Sequence, residues 1–302
     1  MFEFMDIITL QAAYECQKDG VLPPYLGSMI RGIIGHCIRD FYCDYPEKRC
    51  FLCSKRSQCM YVRHFSNTGG EAGAINPYTI YVYGNGKQQW KKGDVCIFDL
   101  TIFGKAAAHA SIYLDALRLA EEKGWGAARL PFRLVHVMNP ASHTLVYAVG
   151  RSWTRNLIPT ALQVEEKIVS NAYLQFDTPV RIVSGNQLFT SLSFEMLIQF
   201  LTRRIALITT ACTDNEIDWD AEELVKEAGK IKVLKEDWRT CPFARYSMNQ
   251  KGNRLEWDTR MGWVLYEGEL SKFVPILEAG KYLHIGKGAT IGFGHYEIFY
   301  DR

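Results

Sequence analysis

The chain of 302 residues is long enough for two domains of ordinary size, and 48% hydrophobic with 23% charged residues excludes a disordered protein. The formal net charge is only +2, so any contact with a nucleic acid requires local basic patches and not a uniform positive field. The first residues lack the basic and then apolar sequence of a signal peptide. The most apolar segment, 194–212, is interrupted by Arg203 and Arg204. We therefore expect a cytoplasmic protein that has no contact with a membrane.

The first half of the sequence predicts a mostly antiparallel sheet with two helices. Strands are predicted where β-branched and aromatic residues concentrate, and helices where apolar residues recur with a helical period. In chain order the predicted elements are a strand over 5–12, a helix over 25–41 opened by two prolines, strands over 78–83 and 95–103, a helix over 106–123, and a hairpin of 132–138 with 144–149.

The four clustered cysteines among nine follow the first predicted helix as Cys43-x6-Cys50-x2-Cys53-x5-Cys59. Zinc prefers four soft ligands in a tetrahedron, and a Cys-x2-Cys knuckle places two thiolates on one metal. Free thiols or two disulfides are the alternatives, and a reducing compartment disfavours the disulfides. The spacing predicts a structural Zn²⁺ ion in an insertion over 43–61.

The second half repeats the order of the first. The predicted elements are a strand over 172–183, a helix capped by Ser191 that continues to Cys212, one long or two short strands within 255–270, a short helix over 271–278 and a final strand over 295–300. Residues 226–239 alternate in charge, which is typical of a solvated helix face. The order β-α-β-β-α-β is the ferredoxin-like plan. We therefore predict an α+β protein of two tandem ferredoxin-like domains, over 1–160 and 161–302.

A glycine-rich loop over 280–294 precedes the final strand and also carries basic side chains. Glycine lets the backbone adopt positive φ and approach a bulky ligand, so such a loop suits phosphates. Two common phosphate motifs are excluded. In a P-loop, Ser or Thr follows the lysine, but here Gly288 follows Lys287. A dinucleotide fingerprint needs a further helix and strand after the glycines.

The glycine loop followed by a short terminal strand resembles the signature of the RAMP superfamily, the repeat-associated proteins of CRISPR systems. The C-terminal half more specifically resembles the family's CRISPR RNA-processing endoribonucleases, in Phe176-Asp-Thr-Pro-Val-Arg-Ile182, Arg203-Arg204, Gly262 and Gly268. The first half resembles the N-terminal domain of a zinc-knuckle branch of these enzymes, in Leu22-Pro-Pro-Tyr25, Ile30-Arg-Gly32, Gly35-His36 and the four cysteines. The resemblance implies two RRM-like domains that bind CRISPR repeat RNA. It also implies cleavage of precursor crRNA without a catalytic metal, giving 2′,3′-cyclic phosphate and 5′-hydroxyl ends.

Such cleavage needs proton transfer at the 2′-hydroxyl and the leaving oxygen, and a cation for the charged phosphorane. Projection of the first helix places Tyr25, Gly32, His36 and Arg39 within about 60° of arc. The predicted apolar stripe on the other side consists of Leu26, Ile30, Ile33, Cys37 and Phe41. We predict His36 as the catalytic residue, with Tyr25 and Arg39 assisting. His36 as a packing residue, Arg39 as a solvated side chain, Tyr25 as a core anchor and His64 as the catalytic histidine are the alternatives.

RNA contact is predicted at two places in the sequence. Residues 31–63 contain seven basic and three acidic side chains with interleaved aromatic residues. The predicted RNA-binding residues are Arg31, Lys281, His284, Gly286, Lys287, Gly288, Gly292 and Gly294. The expected partners are CRISPR repeat RNA or crRNA and other effector subunits. A non-catalytic RAMP subunit that coats or caps guide RNA, and a zinc-stabilised interaction module without RNA, are the alternative functions.

Overall fold

The computed structural model describes residues 2–66, 75–164, 166–247 and 253–301. The chain divides into two compact units. The N-terminal unit comprises residues 4–161 and 208–215, and the C-terminal unit comprises 1–3, 162–207 and 216–302. Within the described ranges, no helix is long and apolar enough to cross a membrane.

The N-terminal unit contains one large antiparallel sheet with two α-helices. Its strands are β1 (Asp6–Cys16), β2 (Gly20–Val21), β3 (Tyr78–Val82), β4 (Gln89–Trp90), β5 (Val95–Phe103), β6 (Phe132–Asn139), β7 (Thr144–Ala148), β8 (Arg151–Ser152) and β9 (Thr160–Ala161). Its helices are α1 (Gly27–Tyr42) and α2 (Ala110–Leu119). Short helical turns lie at Cys50–Leu52, Arg56–Gln58, Val62–Ser66, Gly104–His109, Ala120–Glu122 and Thr154–Asn156.

The sheet of this unit has the strand order β3-β5-β1-β6-β7-β8, and β9 pairs with β1. The order β3-β5-β1-β6 is that of a ferredoxin-like sheet, with β7 and β8 added at one edge. Central strand β1 is buried over most of its length, because β5 and β6 flank it on both edges. Helices α1 and α2 contribute their apolar faces to the same core cluster.

The face that α1 buries differs in part from the predicted apolar stripe. The buried residues of the helix are Gly27, Ile30, Ile34, Gly35, Cys37 and Ile38. Ile33 is only half-buried, and Phe41 is 62% exposed because it lies beyond the part of the helix that packs on the core. The buried face still includes Ile30 and Cys37 but is centred roughly 70° from the predicted stripe, which is less than one residue of rotation.

The C-terminal unit has the same plan. Its strands are β10 (Asn171–Val180), β11 (Val183–Ser184), β12 (Gln187–Leu188), β13 (Lys232–Ser247), β14 (Asn253–Glu267) and β15 (Glu297–Asp301). Its helices are α4 (Ala221–Ala228) and α5 (Val274–Leu283), with a helical turn at Ser271–Phe273 and another at Ala289–Ile291, and α3 (Phe194–Cys212) begins in this unit. The sheet order β13-β14-β10-β15 is again ferredoxin-like. The predicted fold class, α+β with two ferredoxin-like units, is confirmed.

Three local predictions are corrected by the structure. Helix α1 begins at Gly27, so Tyr25 precedes it. Helix α3 is capped by Ser193, whose hydroxyl accepts from the Met196 amide at 3.1 Å, and not by Ser191. The charge-alternating segment 226–239 is mostly strand, because side chains in a strand alternate between two faces and polar residues can occupy the solvent side.

Candidate functional site

The outer face of α1 presents an exposed imidazole next to open space. His36 is exposed, whereas the neighbouring Gly35 and Cys37 are buried. Gly32 lies one helical turn before His36, and a Cβ added at Gly32 would meet no atom within 4 Å. A bulky group can therefore approach the backbone at Gly32 while it contacts the imidazole.

Tyr25 does not share this helix face. It lies two residues before the first helical residue and is half-buried. The helical projection that grouped it with His36 is therefore wrong at its first position, since the rotation of 100° per residue holds only inside the helix. The structure leaves Tyr25 near the start of α1 but outside the predicted constellation.

Arg39 is engaged by the backbone that follows the helix. Its Nη2 donates to the carbonyl oxygens of Pro46 at 2.6 Å and Lys48 at 3.4 Å. The side chain is half-buried, and its Nε is buried without a hydrogen-bond partner. In this structure Arg39 therefore connects the cysteine segment to α1.

The cysteine segment forms short helical turns, and all four of its thiols are half-buried and free of disulfides. Burial raises the pKa of Cys50 first, Arg39 lowers it, and Cys43, Cys59 and Cys53 raise it further, so the other three thiols lie within electrostatic reach of Cys50. Within the described ranges, no group of three or more Cys, His, Asp or Glu side chains has the arrangement of a metal site. The donor chemistry therefore fits zinc, whereas the positions of the thiols do not form a ligand set.

Arg31 is half-buried and packs against two stacked aromatic rings. Its guanidinium is 5.1 Å from the ring centroid of Phe65, and the Phe65 ring stacks on Tyr78 at 5.0 Å. Phe65 also packs against Gly35, where any Cβ would overlap the ring. Arg31 therefore has a structural contact on one side, and only the remaining exposed part of the side chain is available to RNA.

His64 is only 5% exposed, and the Tyr113 hydroxyl donates to its carbonyl oxygen at 2.6 Å. Burial, and to a smaller extent the nearby His109 and Arg63, lower the pKa of His64 to about 4. The side chain is therefore neutral near pH 7 and enclosed, which argues against the alternative in which it is the catalytic histidine.

The glycine loop over 280–294 packs against the end of β10. The Lys287 amide donates to the Arg181 carbonyl, and the Gly294 amide donates to the Pro179 carbonyl, both at 2.9 Å. Gly286 and Gly294 adopt positive φ, and a Cβ at either position would overlap a backbone carbonyl. These glycines are required because two backbone segments meet there, and this requirement is independent of any ligand.

Only part of this loop is accessible to RNA. Lys287 is exposed and its neighbours Gly286 and Gly288 are half-buried, whereas Gly292 and Gly294 are buried. Lys281 is half-buried and forms an ion pair with Glu278 at 2.6 Å. Among the predicted RNA-binding residues of this loop, Lys287 at its tip is therefore the accessible one.

The prediction that His284 contacts RNA is corrected by its position. The residue is 2% exposed, and its Nδ1 is 3.0 Å from the Phe293 carbonyl oxygen. Burial lowers the pKa of His284 well below its ordinary value, and His295 and Arg204 lower it further. The neighbouring His295 is also buried, with its Nδ1 at 2.8 Å from Oδ1 of Asp177. Both histidines hold the loop together from the inside.

The sequence analysis missed a cavity of about 420 Å³ on the outer face of the C-terminal sheet. It is lined by Gln175, Phe176, Asp177, Asp237, Arg239, Met261, Gly262 and Trp263. The signal that predicts this face is the spacing of Lys235, Asp237 and Arg239 at every second residue, which is the period of a strand. Because residues 226–239 were interpreted as a helix face, the sequence analysis did not predict this sheet face.

Two family models match the chain. Residues 5–159 match AF_1859_N, described as an N-terminal domain, and residues 174–296 match the CRISPR-associated endoribonuclease Cas6. Residues 174–296 therefore form a Cas6 endoribonuclease domain. This match confirms the resemblance of the C-terminal half to the CRISPR RNA-processing endoribonucleases.

Solved Cas6 structures share the fold at low sequence identity. One Cas6 product complex aligns with a TM-score of 0.60 and 13% identity, covering 97% of this chain and 100% of that chain. Another gives a TM-score of 0.56 and 14% identity, covering 97% and 99%. A partial Cas6-RT-Cas1–Cas2 complex gives 0.64 and 12% identity, covering 99% of this chain. The present chain spans only 47% of that relative's length.

A relative of similar length also occurs in Archaeoglobus fulgidus. It is an uncharacterised protein that is 20% identical over 292 residues, covering 92% of each chain. Its name assigns no activity. The family assignment therefore comes from the family models, and the solved structures show the fold.

Proposed function

We propose that this chain binds CRISPR repeat RNA and cleaves precursor crRNA by attack of a ribose 2′-hydroxyl on the adjacent phosphate. The products would carry 2′,3′-cyclic phosphate and 5′-hydroxyl ends. The observation that carries this proposal is the exposed imidazole of His36, one helical turn from the open backbone at Gly32. The Cas6 endoribonuclease domain over 174–296 supports RNA cleavage as the reaction class.

His36 would transfer the proton at the reacting centre. The imidazole side chain ordinarily titrates near neutrality, so it can accept a proton from the 2′-hydroxyl or donate one to the leaving 5′-oxygen. Neither transfer requires a metal ion. We therefore propose a metal-independent reaction, in which cleavage persists in EDTA.

Two other residues would support this step without transferring the proton. Arg39 would act as a positioning residue, since its guanidinium fixes the carbonyls of Pro46 and Lys48 next to α1. Tyr25 lies two residues before α1 and would contact the RNA at the start of the helix. Removal of either side chain should lower the cleavage rate less than removal of His36.

The tip of the glycine loop would provide the second contact with RNA. The Lys287 ammonium is exposed, and the half-buried Gly286 and Gly288 next to it leave the backbone close to the surface. A lysine beside accessible backbone suits a phosphate. Gly292, Gly294 and His284 would support the loop from within, without contact to RNA.

The catalytic assignment is tested by single-turnover cleavage of a labelled CRISPR repeat RNA. His36→Ala should lose about 10²–10⁴ in rate, because a general acid or base is removed, and should bind the RNA as the wild type does. His143→Asn is the matched control, since it removes another exposed imidazole, and asparagine tolerates the positive φ of this position.

If His36→Ala cleaves the RNA at the wild-type rate, the assignment of His36 as the catalytic residue is wrong. Binding of the repeat by the wild type without cleavage would instead favour a non-catalytic RNA-binding subunit. Loss of folding in His36→Ala is checked by its thermal midpoint, which should remain that of the wild type because the side chain is exposed.

We also propose that Cys43, Cys50, Cys53 and Cys59 bind one structural Zn²⁺ ion. The grouping of four thiols in one short segment supports it, and the turns at Cys50–Leu52 and Arg56–Gln58 would have to move to complete the ligand set. Zinc binding in such knuckles is worth about 10–16 kcal/mol and is coupled to local folding. The ion would stabilise the segment without a part in cleavage.

Elemental analysis tests this zinc proposal. One zinc atom per chain is expected in the wild type, and Cys50→Ser should lose it and expose the segment 43–61 to protease. Cys241→Ser is the matched control, because it removes another half-buried free thiol outside the segment. A wild-type protein without zinc, purified without chelators, would contradict the proposal.

The partners that follow from this function are crRNA and other CRISPR effector subunits. One of the similar structures is a Cas6-RT-Cas1–Cas2 complex, which supports association with other CRISPR proteins. The RNA substrate would place the protein in the cytoplasm. Co-purification of processed repeat RNA with the tagged protein checks the first of these partners.

A further inference from the structure

Three aromatic side chains form a row across the outer face of the C-terminal sheet. Tyr173 of β10 lies between Trp263 of β14 and Phe299 of β15. The ring centroids of Tyr173 and Trp263 are 5.5 Å apart, and those of Tyr173 and Phe299 are 6.2 Å apart. We call these three side chains the aromatic row. The opposite face of β10 is buried through Ala172, Leu174 and Phe176.

The core does not account for this row. Phe299 is 61% exposed, and both Tyr173 and Trp263 retain accessible surface. Rings in contact across strands stabilise a sheet, but three on one solvent face leave an apolar surface in water. Such a surface indicates a ligand that covers it.

The row is held in place by hydrogen bonds on its own face. The Tyr173 hydroxyl donates to Oε1 of Gln175 at 2.7 Å, and Nε2 of Gln175 donates to the Gly262 carbonyl at 3.2 Å. Gln175 stands directly opposite Trp263 in the register. The Tyr173 ring is therefore fixed before any ligand binds, which reduces the entropy lost on binding.

The cavity beside Trp263 has a mixed polar rim. Its volume of about 420 Å³ falls in the range of sites for small organic ligands. Asp177 and Asp237 supply acceptors, and Arg239 supplies donors. The two carboxylates disfavour a phosphate in the cavity, whereas the edge of a nucleobase offers both donors and acceptors.

Exposed cations line the same face at its β13 edge. Lys235 stands opposite Leu265 and Arg239 stands opposite Met261, and the exposed carboxylate of Asp237 lies between them on the same face. A strand of RNA whose bases lie over the aromatic row can place its phosphates near these cations. Proteins bind single-stranded nucleic acid in this way, with aromatic side chains stacked on the bases and basic side chains next to the phosphates.

We propose that the aromatic row is a binding site for single-stranded RNA, at which bases stack on Phe299, Tyr173 and Trp263 and one base enters the adjacent cavity. The site rests on the proposed function, since its RNA would be the unpaired part of the repeat or of the product. It would hold RNA without taking part in cleavage, because it contains no group assigned to proton transfer.

The test measures binding of a fluorescein-labelled 12-nucleotide oligouridylate, which has little structure of its own. Phe299→Leu keeps apolar volume but removes the ring, and should raise the Kd about fivefold or more. Phe299→Tyr keeps the ring and should bind within about twofold of the wild type. Ile168→Ala is the control for truncation of an exposed apolar side chain in the same unit, and should also bind as the wild type does.

A second measurement locates the RNA directly. An oligouridylate that contains 4-thiouridine should cross-link to peptides with Trp263 or Phe299, and Phe299→Leu should lower the yield. Binding of Phe299→Leu within twofold of the wild type, or cross-links confined to other peptides, would overturn the proposal and leave this face to a protein partner. The thermal midpoint of each variant verifies folding.

Failure of this site and failure of the proposed function give different results. If the aromatic row binds no RNA, the wild type still cleaves the repeat and His36→Ala still does not. If the proposed function fails, the wild type leaves the repeat intact, whatever the oligouridylate shows. Cleavage and oligouridylate binding are therefore measured on the same protein preparations.

Discussion

Helix α1 and the glycine loop both carry glycine next to histidine, and the structure uses the two patterns in opposite ways. On α1, Gly32 faces open space and His36 is exposed. In the loop, Gly294 meets a carbonyl and His284 is buried. The same residue types therefore leave room for a ligand in one region and for the protein's own backbone in the other.

The difference follows from what lies next to each segment. The outer face of a helix that covers one side of a sheet borders solvent, so a missing side chain there leaves a gap. The loop between α5 and β15 must instead pass the end of β10, where amide and carbonyl groups of the two segments pair. A glycine motif indicates that another group comes close to the backbone, and only the neighbouring structure shows whether that group is a ligand or another segment of the protein.

The largest expected effect is at Gly294. Gly294→Ala should lower the free energy of unfolding by more than about 3 kcal/mol, because positive φ strain adds to overlap with the Ile285 carbonyl. Gly185→Ala is the matched control in the same unit: its φ is +55°, but its Cβ meets no atom within 4 Å, so only about 1 kcal/mol is expected. Denaturant unfolding measures both. Equal losses would show that the loop is not packed as described.

The buried and exposed histidines differ in a second measurable way. The pKa of His64 is about 4 in the folded state, so its neutral form is favoured there, whereas the unfolded chain takes up a proton below about pH 6.5. The stabilising contribution is therefore complete above pH 6.5 and is lost as the pH falls towards 4. Between pH 7 and pH 5 this loss should be about 2 kcal/mol.

Urea unfolding of the wild type and of His64→Leu at both pH values checks this prediction. The variant should be less sensitive to pH over this interval, whatever its stability at pH 7. If the free energy of unfolding of His64→Leu changes with pH as much as that of the wild type, His64 is not a buried neutral histidine.

The smallest effects compare two glycines within α1. Gly35→Ala should destabilise the protein by about 1–3 kcal/mol, because the methyl group would overlap the Phe65 ring. Gly32→Ala should instead stabilise the helix by about 0.5–1 kcal/mol, since it restricts the unfolded chain and meets nothing in the folded one.

Cleavage by these two variants sharpens the comparison further. If a phosphate uses the gap at Gly32, Gly32→Ala should be more stable and slower, a combination that a purely structural role does not produce. A stabilised variant with wild-type single-turnover rate would show that RNA does not approach the helix at this position.

The order of strands and helices was accessible from sequence because it depends on local period and composition. Strand β5 was predicted with its observed bounds, and the order β-α-β-β-α-β led directly to the ferredoxin-like plan. Segment 232–247 was missed, because alternating charges fit a solvated helix and a half-exposed strand equally well. Pairing with β14, which decides between them, is a contact between distant residues.

The sequence by itself determined the fold class and the types of residue that can bind RNA, since these depend on composition, period and spacing, and its motifs carried the resemblance to the family. Only the tertiary structure decided which of these residues face solvent. It assigned Arg39 to two backbone carbonyls, enclosed His284 in its loop and brought Tyr173, Trp263 and Phe299 together from three strands. The exposure of a side chain and its distance from other side chains depend on packing between segments that are distant in sequence. A local sequence pattern therefore cannot predict either of them.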